Sequence, residues 1–160
     1  MRDEFAPVKY GLIPLEIWKQ EKPIEIFRKM IRRELPAPPI GESFDFLLSE
    51  IGDGRAVFES RPKASFYNPL GTIHGGFITT LLDSAMACAI HSTLDTGKGS
   101  TSVEIKINFV RPIFEKTGTL RAVGETVNVG RQIASAEGKL LDANGKLYAH
   151  GTTTCFIFDL

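Results

Sequence analysis

The chain of 160 residues is 42% hydrophobic and 24% charged, which suits a single packed domain. Its 19 basic and 19 acidic residues cancel, so no broad positive field is available to hold a nucleic acid or an anionic membrane surface, and neither is expected as a partner. No apolar run approaches the roughly 18 residues that span a bilayer, and Met1 to Glu4 lack the apolar core of a secretory signal, so a cytoplasmic protein is expected.

Residues 1–22 are mixed in character and interrupted by Pro7 and Pro14, with Pro23 following. Ile24, Phe27, Met30 and Ile31 then recur at helical spacing among Arg28, Lys29, Arg32 and Arg33. This predicts one amphipathic helix with a solvated basic face. Pro36, Pro38 and Pro39 end it. Residues 44–51 and 55–60 flank Gly52-Asp53-Gly54 and predict a hairpin. In the long apolar stretch 75–92, Phe77, Ile78, Leu81, Leu82, Ala85 and Met86 leave almost no polar side, so a helix buried all round is expected.

After Gly97-Lys98-Gly99, the residues Val103, Ile105, Ile107 and Phe109 alternate with Glu104, Lys106 and Asn108, predicting a strand with one core face. Further strands are predicted over 119–129, 131–141 and 146–158, the last two joined by the turn Asp142-Ala143-Asn144-Gly145. These three should form an antiparallel meander. The order predicts an α+β fold in which one helix packs on one sheet, with residues 1–40 as an N-terminal helical extension and 41–160 as the main domain. Cys88 and Cys155 both lie in apolar stretches and fit reduced, buried thiols.

The chemistry concentrates around His74-Gly75-Gly76 and Asp83. The first amides of a helix have no internal partners and sit at the positive end of its dipole. Gly75 and Gly76 could therefore polarise a carbonyl, or could simply permit a tight turn. Asp83 is the only residue charged at neutral pH between His74 and His91. A carboxylate inside an apolar helix requires a reason, either a structural partner or a role as general base or nucleophile.

At 1.5 Å per residue, Asp83 lies roughly 10 to 12 Å along the axis from the glycine amides. One chain cannot easily bring both to one carbonyl. A two-fold dimer with antiparallel buried helices would join the Asp83 of one subunit to the glycine amides of the other, which predicts composite sites. A zinc site from His74, His91 and His150 lacks ligand spacing, and a Cys88 thiolate would be disfavoured among Ala85, Met86, Ala87 and Ala89.

Asn68-x-x-Gly71-x-x-His74-Gly75-Gly76, followed by Leu82-Asp83, resembles the hot-dog-fold thioesterases of the PaaI-like branch. Ser102-Val103-Glu104 to Phe109-x-Arg111-Pro112 resembles the strand after the central helix of that family, and Gly130-Arg131 its later strand junction. The resemblance covers residues 45–158 and leaves out residues 1–40. It implies an antiparallel sheet wrapped around the long helix and a dimer with a continuous sheet, often paired into a tetramer.

The resemblance also implies hydrolysis of an acyl-coenzyme A, with an aryl or a short to medium acyl chain, and no metal or redox cofactor. Coenzyme A enters as part of the substrate. Carried over by position, Asp83 would activate water or attack the thioester, and Gly75 would donate its amide to the thioester oxygen. Asn68 and His74 would orient the loop and the thioester, while Ser102 would position the water or the carboxylate. Gly76, Arg111, Gly130 and Arg131 would contact the coenzyme. Two other readings stand beside this one: a hot-dog hydratase or dehydratase using Asp83 with His74, and a non-catalytic acyl-coenzyme A binding module that signals through its N-terminal helix.

Overall fold

The apolar run from Phe77 to Ile90 forms the expected helix, and the strands that follow close around it. A computed structural model describes residues 7–160, so the reading of Met1 to Glu4 lies outside the described residues. The elements run α1 (Leu15–Gln20), α2 (Pro23–Ile31), α3 (Pro39–Ser43), β1 (Phe46–Gly52), β2 (Arg55–Ser60), α4 (Gly75–Ser92), β3 (Lys98–Phe109), β4 (Leu120–Val129), β5 (Ile133–Asp142) and β6 (Leu147–Asp159). The six strands make one sheet in the order β1-β2-β4-β5-β6-β3, with every pairing antiparallel. The sheet wraps α4, which is the hot-dog arrangement that the resemblance implied.

Burial along α4 follows helical geometry. Leu81, Leu82, Ala85, Met86, Ala89 and Ile90 are all buried against the sheet. On the other side, Thr79, Thr80, Asp83, Ser84, Ala87 and Cys88 form a stripe that is only partly covered. The expectation of a helix buried all round is thereby corrected, because a sheet that curls around a helix from one side leaves the opposite stripe to be closed by something else.

Two glycines let the helix approach the sheet, and a third continues their row. Gly124 on β4, Gly138 on β5 and Gly151 on β6 stand directly opposite one another in register. A Cβ at Gly124 would lie 2.6 Å from the Met86 nitrogen and closer still to the Ala85 carbonyl, and one at Gly138 would lie 2.9 Å from Met86 Cγ. Gly124 and Gly138 form a groove in which α4 lies, close enough that even a methyl group has little room, while a Cβ at Gly151 would meet the Lys106 carbonyl and Ile107 of β3.

The expected meander is present as β4, β5 and β6. The strand expected from Val103 begins earlier, at Lys98, and its alternation is broken. The register with β6 shifts between Ser102 and Glu104, so Val103 occupies a bulge and is 59% exposed. Both Ser102 and Ile105 then face inward, opposite the buried Cys155 and Thr153. β3 lies at the end of the sheet with one edge unpaired among the described residues.

The N-terminal segment is more helical than expected, since α1 and α3 flank the single amphipathic helix read from the sequence, observed as α2. Ile26 and Phe27 of α2 are buried, with Phe27 in the same core as α4. Trp18 of α1 stacks on His91 with ring centroids 5.1 Å apart, and Phe27 meets the edge of the same imidazole at 5.6 Å.

Burial pushes the His91 imidazole below its ordinary 6.5, against the opposing pull of the Lys98 carbonyl 3.2 Å from Nε2. The unfolded chain therefore takes up this proton at a higher pH than the folded one. The stability contributed by neutral His91 is complete above about pH 6.5 and declines as pH falls below it. Urea unfolding between pH 7.5 and 5.5 is expected to show this loss of stability, and His91→Phe is expected to flatten it; a variant with the parent's pH slope would refute the assignment.

Candidate active site

The loop before α4 is organised by Asn68. Its Oδ1 accepts from the amides of Leu70 (2.9 Å) and Thr72 (3.2 Å), and its Nδ2 donates to Thr72 Oγ1 at 2.9 Å. Gly71 supplies the left-handed residue of this turn, at φ +80°. The loop is pinned from both sides, with the Ile73 amide donating to Ile113 O and the His74 amide to Phe66 O. Asn68 thus spends its polar atoms on holding the loop.

His74 is the N-cap of α4, and its Nδ1 accepts the Gly76 amide at 2.8 Å. The Gly76 N–H is therefore engaged. The Gly75 N–H has no acceptor among the described residues and stands at the positive end of an 18-residue helix. Gly75 leaves little room above its backbone, because a Cβ there would lie 3.0 Å from Cζ of Phe109. Asn68, Gly75, Phe109 and Arg111 line one surface depression of about 410 Å³. Within it, Arg111 donates to the Leu147 carbonyl at 2.6 Å.

Asp83 lies two turns further along α4 on the partly covered stripe. Its Oδ1 accepts from the Ser102 hydroxyl at 2.7 Å, and Oδ2 has no hydrogen-bond partner among the described residues. The bulge at Val103 is what turns Ser102 toward the helix. Behind Ser102, 3.8 Å from its oxygen, sits the Cys155 sulfur. Burial pushes the Cys88 thiol up to about 12, and the charge of Asp83 and the neighbouring Cys155 push the same way, so Cys88 is no nucleophile near neutrality.

The fold thus sorts the site residues into two groups. Gly75, His74, Asn68, Phe109 and Arg111 gather at one end of α4 and β3. Asp83 and Ser102 meet further along, and Gly130 and Arg131 lie in the turn after β4, beside the end of the sheet where Ile133, Phe156 and Thr101 are paired. Ser102 and Phe109 are seven residues apart on one strand, roughly 23 Å when extended, so one chain does not bring Arg111 and Arg131 to one ligand.

His74, His91 and His150 stay apart as a helix cap, a partner of Trp18 and an outer-face residue opposite Lys139. No group of three or more potential metal ligands occurs among the described residues. Sequence reasoning missed two features of the site. The pairing of Phe109 with Gly75 is nonlocal and left no signal. The bulge left only a faint one, an apolar Val103 beside two small polar residues.

The thioesterase superfamily profile matches residues 70–149, which hold both groups apart from Asn68. The chain is 27% identical to acyl-coenzyme A thioesterase 13 of Homo sapiens over 78% of this chain and 91% of that protein. A phenylacetic acid degradation-related protein from Ralstonia eutropha superposes with a TM-score of 0.73 at 27% identity, covering 81% of this chain and 98% of the other. The PaaI protein of E. coli superposes with a TM-score of 0.68 at 23% identity, over 74% and 83% of the two chains, a likeness of fold.

Proposed function

The chain belongs to the thioesterase superfamily and is a thioester hydrolase, and on that footing we propose that it cleaves acyl-coenzyme A at two equivalent sites, each assembled across a dimer from the Gly75 amide of one subunit and the Asp83 carboxylate of the other. The observation that carries this reading is the free Gly75 N–H and the half-covered Asp83 on one helix, about 12 Å apart. The Gly75 amide and the helix dipole stabilise the oxyanion that develops on the thioester carbonyl. Asp83 acts through its free Oδ2, either drawing a proton from the attacking water or attacking the carbonyl carbon itself, while Ser102 fixes Oδ1. The C–S bond then breaks and coenzyme A leaves as a thiolate that takes up the proton from water, giving the free acid directly where water attacks, or by hydrolysis of the acyl-aspartyl anhydride where Asp83 attacks. Because a thiolate leaves readily, an amide and one carboxylate suffice chemically, and no metal or redox cofactor takes part.

The unpaired edge of β3 supports the dimer. Joining two such edges antiparallel continues the sheet, covers the α4 stripe and brings the Gly75 end of one chain toward the Asp83 end of its partner. Arg111 from one end and Arg131 from the other, with the Gly130 turn, are then placed to meet the phosphates of one coenzyme. Exposed Ile133 and Phe156 on the outer face suit a pairing of dimers. A hydratase would need His74 as a proton carrier, and its Nδ1 is already engaged in capping α4.

Gly75→Pro provides the test, since proline is accommodated at the first position of a helix and removes the proposed donor, and Gly75→Ala, which adds the same Cβ 3.0 Å from Phe109 Cζ but keeps the N–H, is the control for crowding. His74 at ψ 137° already has the extended backbone that precedes proline comfortably. Thiol release is expected to fall by about 10²- to 10³-fold. Mixing Gly75→Pro subunits with Asp83→Ala subunits should restore about one quarter of parent activity, because half of randomly formed dimers are mixed and each holds one intact site. Sites contained within single chains would give no restoration.

A further inference from the structure

Resting on the reading of Asp83 as the group that acts on the thioester, we infer that the N-terminal segment builds a chamber for the acyl chain: the cavity of about 300 Å³ between residues 11–38, the β1-β2 hairpin and α4 takes an unbranched, uncharged acyl group. Trp18, Phe27 and Met30 form its outer wall, Phe58 faces them from β2, and Ser84 and Cys88 of α4 form the floor. No charged side chain among the described residues lines it, and the Ser84 hydroxyl is already satisfied by the Thr80 carbonyl at 2.8 Å. Such a lining accepts methylenes and rejects an acyl group that ends in a carboxylate.

The chamber floor lies on the same helix as the carboxylate. Ser84 follows Asp83 directly and Cys88 lies five residues on, roughly 7.5 Å along the helix. An extended chain advances about 1.2 Å per bond, so an acyl group needs about six carbons to reach from a carbonyl at Asp83 to the floor at Cys88. Shorter acyl groups would leave the chamber empty.

The walls are held in place. Trp18 is clamped by its stack on His91 and its edge contact with Phe27 at 5.8 Å. The recess opens to solvent and is lined almost wholly by apolar groups, and apolar recesses of this size bind apolar ligands. Leu12, 85% exposed beside the opening, marks where the segment meets solvent.

The test uses the full chain and saturated acyl-coenzyme A substrates from two to fourteen carbons. Once the chain passes about six carbons, kcat/KM is expected to rise roughly fourfold per methylene until the chamber is full. Cys88→Phe fills the floor, and Ile13→Phe narrows the half-exposed opening at less risk to folding. Either should lower the ratio of decanoyl to butyryl turnover by at least about tenfold.

Trp18 is the one tryptophan in the sequence, so its emission reports on the chamber independently of turnover. Titration with S-decyl-coenzyme A, a thioether that cannot be hydrolysed, is expected to shift that emission saturably, and S-butyl-coenzyme A is not. Turnover with a flat chain-length profile and no Trp18 response overturns the chamber and leaves the thioesterase reading standing. A saturable Trp18 response without turnover of any substrate overturns the thioesterase reading and leaves the chamber. Absence of both overturns both.

Discussion

Asp83→Asn is expected to lower thiol release from acyl-coenzyme A by about two to four orders of magnitude with little change in melting temperature. Asparagine keeps the shape of the side chain and can still accept the Ser102 hydroxyl, which donates to Oδ1 at 2.7 Å. What it loses is the charge and basicity at Oδ2, and these matter only while the thioester is being attacked. The change should therefore appear in kcat, with the affinity for a thioether analogue of the substrate retained.

Asp83→Ala removes the carboxyl altogether and should be equally inactive. The comparison separates catalysis from packing, since alanine also leaves Ser102 without its acceptor. Ser102→Ala should give a smaller loss than either, because it frees the carboxylate without removing it. Parent-level turnover by Asp83→Asn would remove Asp83 from the reaction and move the search for the base to another residue of the α4 stripe.

Much of this was legible in the sequence because it depends on local spacing. The 75–92 helix, the meander and the Asp83 anomaly each follow from periodicity or from one charged residue in an apolar run. Helix α1 was missed because Pro14 and Pro23 read as interruptions. In fact Pro14 precedes α1 as its N-cap residue and Pro23 is the first residue of α2, positions where a missing N–H matters little.

The rest depends on contacts between residues far apart in sequence. The bulge at Val103 and its effect on Ser102 appear only once β3 is set in register with β6. The stack of Trp18 on His91 joins residues from opposite halves of the chain. The significance of Gly124 and Gly138 likewise depends on pairing, since each looks like an ordinary strand glycine until the two are seen side by side in one row beneath α4.

That row leads to the largest expected effect on stability. Gly124→Ala is expected to destabilise the fold by about 3 kcal/mol or more, which at this chain length lowers the melting temperature by about 6 to 12 °C. The added methyl would meet the Ala85 carbonyl and the Met86 nitrogen, which are helix backbone and cannot rotate aside. Helix α4 must then lift from the sheet, and every buried residue on that face loses packing with it.

Two companion variants set the scale. Gly138→Ala meets the flexible end of Met86 at 2.9 Å, which can yield, so its loss should be smaller. Gly145→Ala has open space around it and φ +79°, so it reports only the strain of a left-handed backbone, about 1 to 2 kcal/mol. The expected order of stability is Gly145→Ala above Gly124→Ala, with Gly138→Ala between the parent and Gly124→Ala. A Gly124→Ala protein that melts with the parent would mean that α4 does not lie in the glycine groove. Because α4 carries both Gly75 and Asp83, any Gly124→Ala protein that still folds should also lose turnover, and Gly145→Ala, remote from the helix, should keep it.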